Sequence, residues 1–408
     1  MCVLPPGRHA TDQKMTTLTL ECVERLQALL AENPATATAK LCALFDQTVG
    51  DGDRPIVLFG AGPVGRRTLA GLRMLGREPL AFADNNPGLW GRVVDGLRVL
   101  PPAEAVAVCG EDGVCVVTIF NHSAVRRQLQ GMNCRRVVAF PSLYWKYPGT
   151  FLPYCNLDRL DPLFIDPEAV LDGLGLWDDD CSRQYYLSQL HWRFDLDTEK
   201  LPRPCAAADT YFPRDVIRPL ADEVFVDCGA YQGDTLAAYL AHCRGRFKRV
   251  VALEPDPHNF AGLRRYVESL LPEQRERIRL EPIAAASHNG SLSFAASGDV
   301  CSSVTATGTT SLDCGRLDDL LADDPPTYIK MDIEGGELDA LAGARQTIAR
   351  HRPVLAICAY HRATDLWQIP HAIKSLCPDY RLFLRLYAED CWESVCYAVP
   401  RSRCVQET

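Results

Sequence analysis

Apolar residues recur every three to four positions between residues 16 and 48, with Leu20, Val23, Leu26, Ala28, Leu29 and Leu30 on a rough helical spacing. That pattern predicts a helical segment, and Asp51-Gly52-Asp53 ends it. Short unbroken apolar runs then take over at Ile56–Phe59, Pro79–Ala83, Leu97–Leu100, Val114–Phe120 and Val137–Phe140. They read as buried strands. Helical patterns fill the gaps over 64–75 and after Ser123, which is expected to cap a short helix. Strands alternating with helices predict a parallel sheet.

The pattern changes over 141–220. Pro and Asp become frequent, strand signals weaken, and one helix is predicted over 182–194 with Leu187, Leu190 and Phe194 on one face. From Val224 the alternation returns. Strands are expected at Val224–Asp227, Arg249–Glu254, Ile278–Ile283, Tyr328–Ile333 and Val354–Tyr360, with helices over 234–243, 257–270, 337–350 and 366–376. Arg381–Leu386 and Ser394–Val399 are expected to close the sheet as an antiparallel pair. Residues 298–311, rich in Ser, Thr and Gly, read as a loop. The fold class is therefore α/β, with two Rossmann-like domains. The expected division is a helical segment over 1–54, a small sheet domain over 55–145, a helical connector over 146–220 and a larger sheet domain over 221–402.

Two stretches of the larger domain carry chemistry. Asp227-Cys228-Gly229-Ala230-Tyr231-Gln232-Gly233-Asp234-Thr235 joins a first strand to a helix. It reads D-x-G-x-x-x-G, not the G-x-G-x-x-G that brings a backbone onto a pyrophosphate. A carboxylate at Asp227 suits a ligand with an ammonium and no phosphate, as in S-adenosylmethionine. Glu254 ends the next strand, 25 residues after Gly229, where a carboxylate can accept both hydroxyls of a ribose. The plainer alternative is that both acids cap helices. In Tyr328-Ile329-Lys330-Met331-Asp332-Ile333-Glu334, side-chain alternation puts Lys330, Asp332 and Glu334 on one face. Three charges on a central strand are costly unless they pair or line a crevice, and the crevice of such a sheet lies at the strands' carboxyl ends. A Lys330–Glu334 ion pair is the structural alternative. His361 follows the next strand as a candidate general base, or as a histidine satisfied by a backbone carbonyl.

Composition narrows the classes. The 408 residues carry a net charge of −9 and no basic block, which argues against a nucleic-acid partner. No stretch of about 18 apolar residues occurs, so no spanning helix and no membrane partner are expected. The N-terminal MCVLPPGRHATDQKM does not read as a signal peptide. The 18 cysteines, among them Cys115, Cys228, Cys358 and Cys396, include no C-x-x-C pair. That spacing predicts buried reduced thiols in a cytoplasmic protein and no zinc site.

From about Val224 to Val399 the chain resembles the FkbM family of methyltransferases. The stretches VFVDCGAYQGDT, VVALEPDPHNF, RLDDLL, YIKMDIEGGELDALAGA and AYHRATDLWQIPHAIKSLCPDYRLFLRLY carry the resemblance. It implies a class I methyltransferase sheet, mostly parallel with an antiparallel final strand. It also implies S-adenosylmethionine as cofactor and O-methylation of a sugar, nucleotide-sugar or natural-product acceptor. Asp227, Gly229, Gly233 and Glu254 fall at cofactor positions, and Tyr231, Thr235 and Ala284 complete that candidate set. Asp332 and Glu334 fall where the transferred methyl is faced. Asp332 or His361 would be the base and Lys330 would hold a developing alkoxide. A divalent metal on Asp332 and Glu334 is conceivable, but two carboxylates make a thin ligand set. Where Arg-His-Tyr is expected near the end of the domain, this chain has Arg385-Leu386-Tyr387.

The first sheet holds Gly60-x-Gly62-x-x-Gly65 after a strand, with Asp84 24 residues beyond Gly60. Alone, this is a dinucleotide fingerprint. Asp84-Asn85-Asn86-Pro87, Trp90-Gly91 and Gly96 resemble the nucleotide-sugar-binding domains of sugar-modifying acyltransferases. The alternative is a vestigial domain used for dimerisation. Two other functions stay open: a nicotinamide-linked oxidoreductase run from the first sheet, for which no catalytic set is evident near Phe120 and His122, and a non-catalytic binding protein.

Overall fold

A computed structural model describes residues 17–294 and 310–405. The N-terminal segment forms two helices, Thr17–Leu30 and Pro34–Val49, where the periodicity predicts one. Asn33 caps the second by accepting the Thr36 N–H at 3.1 Å, and Pro34 fits its first turn, where no N–H is needed. Ala37, Leu41, Phe45 and Val49 give it a buried stripe.

The first sheet contains β1 (Ile56–Phe59), β2 (Ala81–Ala83), β3 (Val93–Val94), β4 (Leu97–Leu100), β5 (Val114–Val117) and β6 (Val137–Ala139). Their order is β3-β4-β2-β1-β5-β6. All neighbours are parallel except β3, which is antiparallel to β4. β1 and β5 are buried along their whole length, as their unbroken apolar runs require. Ser123 does not cap the helix that follows β5. It is the first helical residue, and the N-cap is His122, with no side-chain capping bond.

The segment expected to be a connector is part of the core. Helix Asp180–Asp195 is capped by Asp179, which accepts the Ser182 N–H at 2.7 Å. It is buried on several sides, through Tyr185, Tyr186, Leu187, Leu190, Trp192 and Phe194. These residues join Leu58 of the first sheet and Met331 of the second in one continuous apolar cluster.

The second sheet contains β7 (Val224–Cys228), β8 (Arg249–Leu253) and β9 (Ile278–Glu281). A side sheet follows, of β10 (Ala284–Ala285), β11 (Gly290–Phe294) and β12 (Thr310–Gly315). Then come β13 (Tyr328–Met331), β14 (Val354–Cys358), β15 (Arg381–Leu386) and β16 (Ser394–Val399). The main order is β15-β16-β14-β13-β7-β8-β9, and β16 alone runs antiparallel to its neighbours. The expected helix over 337–350 is two, Glu337–Gly343 and Arg345–His351. Most of the loop expected over 298–311 lies outside the described residues. Its last two positions, Thr310 and Ser311, open β12. Cys115, Cys228, Cys358 and Cys396 are buried free thiols.

Candidate active site

β7 and β13 are adjacent, and their polar residues meet. Lys330 Nζ lies 3.0 Å from Asp227 Oδ1, with side-chain exposures of 1% and 0%. The ammonium donates to the carbonyls of Gly229 at 2.7 Å and Cys228 at 3.4 Å. Lys330 therefore ties the β7 loop to the sheet beneath it. Lys330 thus pairs with Asp227, where the structural alternative had Glu334, and its burial runs against the expectation that it holds an acceptor alkoxide. Asp227 is likewise fully covered, so a cofactor ammonium does not reach it in this arrangement. Burial pushes its carboxyl up to about 6 against the pull of Lys330.

The loop after β7 passes directly over the end of β13. Gly229 has φ +79°, and a Cβ there would collide with the Asp332 carbonyl oxygen. Glycine is needed both for the conformation and for the approach. Glu254 follows β8 and organises the same loop. It accepts the Tyr231 N–H at 2.8 Å and the Asp256 N–H at 2.9 Å. Each oxygen keeps a second lone pair for another donor. Burial pushes Glu254 up to about 7. Tyr231 is exposed beside it, Gly233 is the N-cap of helix Asp234–His242, and Thr235 is buried in that helix's first turn. Ala284 stands apart, in the side sheet opposite Cys314.

Asp332 lies just past the end of β13 and Tyr360-His361 lie past β14. Asp332 Oδ2 accepts from Tyr211 Oη at 2.8 Å and Oδ1 from Tyr360 Oη at 3.4 Å. His361 bridges carboxylates. Its Nε2 is 3.2 Å from Asp332 Oδ1 and 3.6 Å from Glu334 Oε2, and its Nδ1 is 2.8 Å from Glu337 Oε1. Burial opposes charge on this imidazole, but Glu337 and Asp332 outweigh it and hold its pKa well above the usual histidine range. Its two carboxylate neighbours thus favour the protonated imidazole, which speaks against His361 as the general base. Asp332 is likewise desolvated, yet its bond with His361 and the Lys330 charge keep its carboxyl well below the usual range. Two neighbours go the other way. Burial, then the Asp332 charge, pushes Glu393 up to about 7. Burial pushes Glu334 up to about 7 as well, although 42% of its side chain meets solvent, which tempers the push.

Sequence reasoning did not single out Tyr211, Tyr360, Glu337 or Glu393. Of these, Glu337 had a local signal, an acid opening a helix three residues after Glu334. Among the described residues, the His, Cys, Asp and Glu groups close enough to hold a metal do not include Asp332 and Glu334, so the conceived metal on that pair has no support.

The carboxyl end of the first sheet meets this site. The Asn121 N–H donates to Asp390 Oδ2 at 2.6 Å, and the Glu389 N–H donates back to Asn121 Oδ1 at 2.9 Å. Phe120 packs on Trp392 with centroids 4.0 Å apart, and Trp392 lies 5.9 Å from Tyr360. The loop that carries Glu393 is thus clasped by the strand end of the other sheet. In the glycine turn itself, Gly65 lets its helix press onto the carbonyl of Gly60, where a Cβ would collide. Space above Gly62 is open. Asp84 accepts the Ala61 N–H at 3.0 Å and the Asn86 N–H at 2.8 Å, so it braces the turn.

These shifts set the pH response of the ligand-free protein. Asp227 and Asp390 are raised to about 6, and Glu254, Asp365 and Glu393 to about 7, each chiefly by burial. Between the ordinary carboxyl range and those values, the native state holds more protons than the unfolded chain. Stability then falls as pH rises through that window. His361 adds stability below the unfolded histidine's pKa and loses it as pH climbs through its raised native value. Asp332 adds stability above the carboxyl range and loses it only in acid. The melting temperature should therefore be higher at about pH 5 than at about pH 8. A flat or rising profile over that interval would contradict the buried-carboxyl account.

The sheet order and the acid-and-glycine loop are those of a Rossmann-like methyltransferase fold. More narrowly, residues 227–391 match the methyltransferase FkbM domain. The crystal structure of methyltransferase FkbM from Methylobacillus flagellatus KT is similar over 94% of this chain and 99% of its own, with a TM-score of 0.70 and 25% identity. The likeness therefore spans both sheets. Precorrin-6y C5,15-methyltransferase from Geobacter metallireducens GS-15 covers 45% of this chain and 83% of its own at 13% identity, but its TM-score of 0.28 gives it no weight. No curated protein matches. No helix among the described residues is long and apolar enough to cross a membrane.

Proposed function

We propose that the protein transfers a methyl group from S-adenosylmethionine to a hydroxyl of a small acceptor, of the sugar, nucleotide-sugar or natural-product class. The observation that carries this reading is the chain Asp332–His361–Glu337 at the carboxyl ends of β13 and β14, beside the Glu254 loop. The cofactor supplies an electrophilic methyl on a sulfonium. Glu254 fits the ribose hydroxyls with its remaining lone pairs, and Tyr231 stands exposed at the same loop. Asp332, ionised and fixed by Tyr211, Tyr360 and His361, orients the acceptor hydroxyl in line with the methyl. The hydroxyl proton passes to a carboxylate with a pKa near the working pH, which favours Glu393 or Glu334 over Asp332.

The first sheet supports a second element of this reading, a nucleotide end of the acceptor held over Gly60, Gly62 and Gly65. Its support is the open space above Gly62 and the clasp that points this sheet's strand end at the Glu393 loop. Calorimetry with S-adenosylmethionine, NAD and a UDP-sugar, followed by a methyl-transfer assay on hydroxylated acceptors, tests both parts. Binding of S-adenosylmethionine with methyl ether formation is expected. Turnover of a nicotinamide would overturn the reading. Glu254→Ala should weaken S-adenosylmethionine binding by roughly 1.5–3 kcal/mol, and an unchanged dissociation constant would sink the ribose assignment.

A further inference from the structure

Three cysteines that take no part in the candidate active site meet on one face of the first sheet. Cys109 ends helix Pro102–Cys109, Cys115 lies in β5, and Cys134 precedes β6. Sequence separations of 6 and 19 hide their proximity. In the fold, their three Sγ atoms all lie within 4.8 Å of one another, and Cys109 and Cys115 are 3.8 Å apart. Their exposures are 4%, 0% and 8%. The surroundings are apolar: Val57, Phe59, Ala81, Ala105, Val117 and Leu129 pack in the same cluster.

A metal–sulfur bond is about 2.3 Å. Three sulfurs around a trigonal ion then stand about 4.0 Å apart, close to the spacing already present. The Cys134 thiol donates to the Arg136 carbonyl at 3.7 Å. Among the described residues, no fourth His, Cys, Asp or Glu joins the group. Structural zinc wants four ligands, and water has little access to this pocket. A soft ion content with three sulfurs fits it better. We propose that Cys109, Cys115 and Cys134 form a trigonal site for monovalent copper. Binding forms three Cu–S bonds and releases the thiol protons still present, with no change of oxidation state.

The test uses the full chain, reduced and metal-free under anaerobic conditions, titrated with Cu(I) against a chromophoric Cu(I) chelator. The other thiols make a comparison with variants necessary. Wild type should retain one tight equivalent more than Cys115→Ala, and X-ray absorption should show three sulfurs at about 2.3 Å. Loading should raise the melting temperature of wild type and not that of the variant. Cys134→Ser, nearest the surface, serves as a second variant should Cys115→Ala fold poorly. Thermal melting and S-adenosylmethionine titration of both check the fold. Equal copper retention in wild type and a folded variant would overturn the proposal. So would tighter retention of Zn²⁺ than of Cu(I), or formation of a Cys109–Cys115 disulfide on oxidation with no ion held beforehand.

Discussion

Asp332→Asn should lower turnover by about 10²-fold, the loss expected when a group that orients the acceptor hydroxyl is weakened. The substitution keeps the side chain's size and can still receive the Tyr211 hydroxyl, which lies 2.8 Å from Oδ2. What it removes is the negative charge facing His361 Nε2 at 3.2 Å. The acceptor hydroxyl then loses its orienting anion. Binding of S-adenosylmethionine should change little, because Glu254 acts from a different strand. Turnover, cofactor titration and thermal melting must be read on one preparation. A stable, cofactor-binding variant with normal turnover would remove Asp332 from the chemistry. The pH profile then separates the proton acceptor from the orienting group. Burial pushes Glu393 up to about 7, and Glu334 the same way with solvent tempering the push, so one of them should set the rising limb of turnover near neutrality. Glu393→Gln or Glu334→Gln should abolish that limb in whichever variant has lost the acceptor. A limb that survives both would place the proton elsewhere.

Much of the fold was legible because buried parallel strands leave an unmistakable trace. β1, β5 and β14 are unbroken apolar runs, β7 and β13 each carry a single charge (Asp227 and Lys330), and the structure buries all five. The site was legible in part, for a physical reason visible at Lys330. Period-two alternation placed Lys330, Asp332 and Glu334 on one face, but the strand stops at Met331. Beyond it the chain turns, and Glu334 takes φ +54°. The three charges therefore go to different partners: Lys330 down to Asp227, Asp332 to Tyr211 and His361, Glu334 toward solvent. The residues that complete the site come from elsewhere in the chain. Tyr211 precedes β7, and Glu393 lies in the turn before β16. No local pattern links either of them to Asp332, because only the crossing of separate elements at the strand ends brings them there.

Lys330→Met should cost about 3–5 kcal/mol of stability, the usual penalty for removing one member of a buried ion pair. Methionine fills a similar volume, so packing alone predicts a far smaller loss. The cost arises because Asp227, with no exposed surface, is left without its cation 3.0 Å away. The Gly229 carbonyl also loses the donor that ties the loop after β7 to β13. Asp227 can escape part of the penalty by keeping a proton. Its carboxyl is already pushed up to about 6 and should rise further without Lys330. The loss should therefore be smaller at about pH 5 than at about pH 8. Pairing the change with Asp227→Leu supplies the control. Replacing both charges with apolar groups of similar volume is often nearly neutral, so the double variant should recover most of the stability that the single variant loses. Urea denaturation at the two pH values reads all three proteins. If the double variant is no more stable than Lys330→Met, the ion pair is not the source of the loss, and the anchored Gly229 carbonyl becomes the better explanation. In that event, the single variant's loss should show no pH dependence.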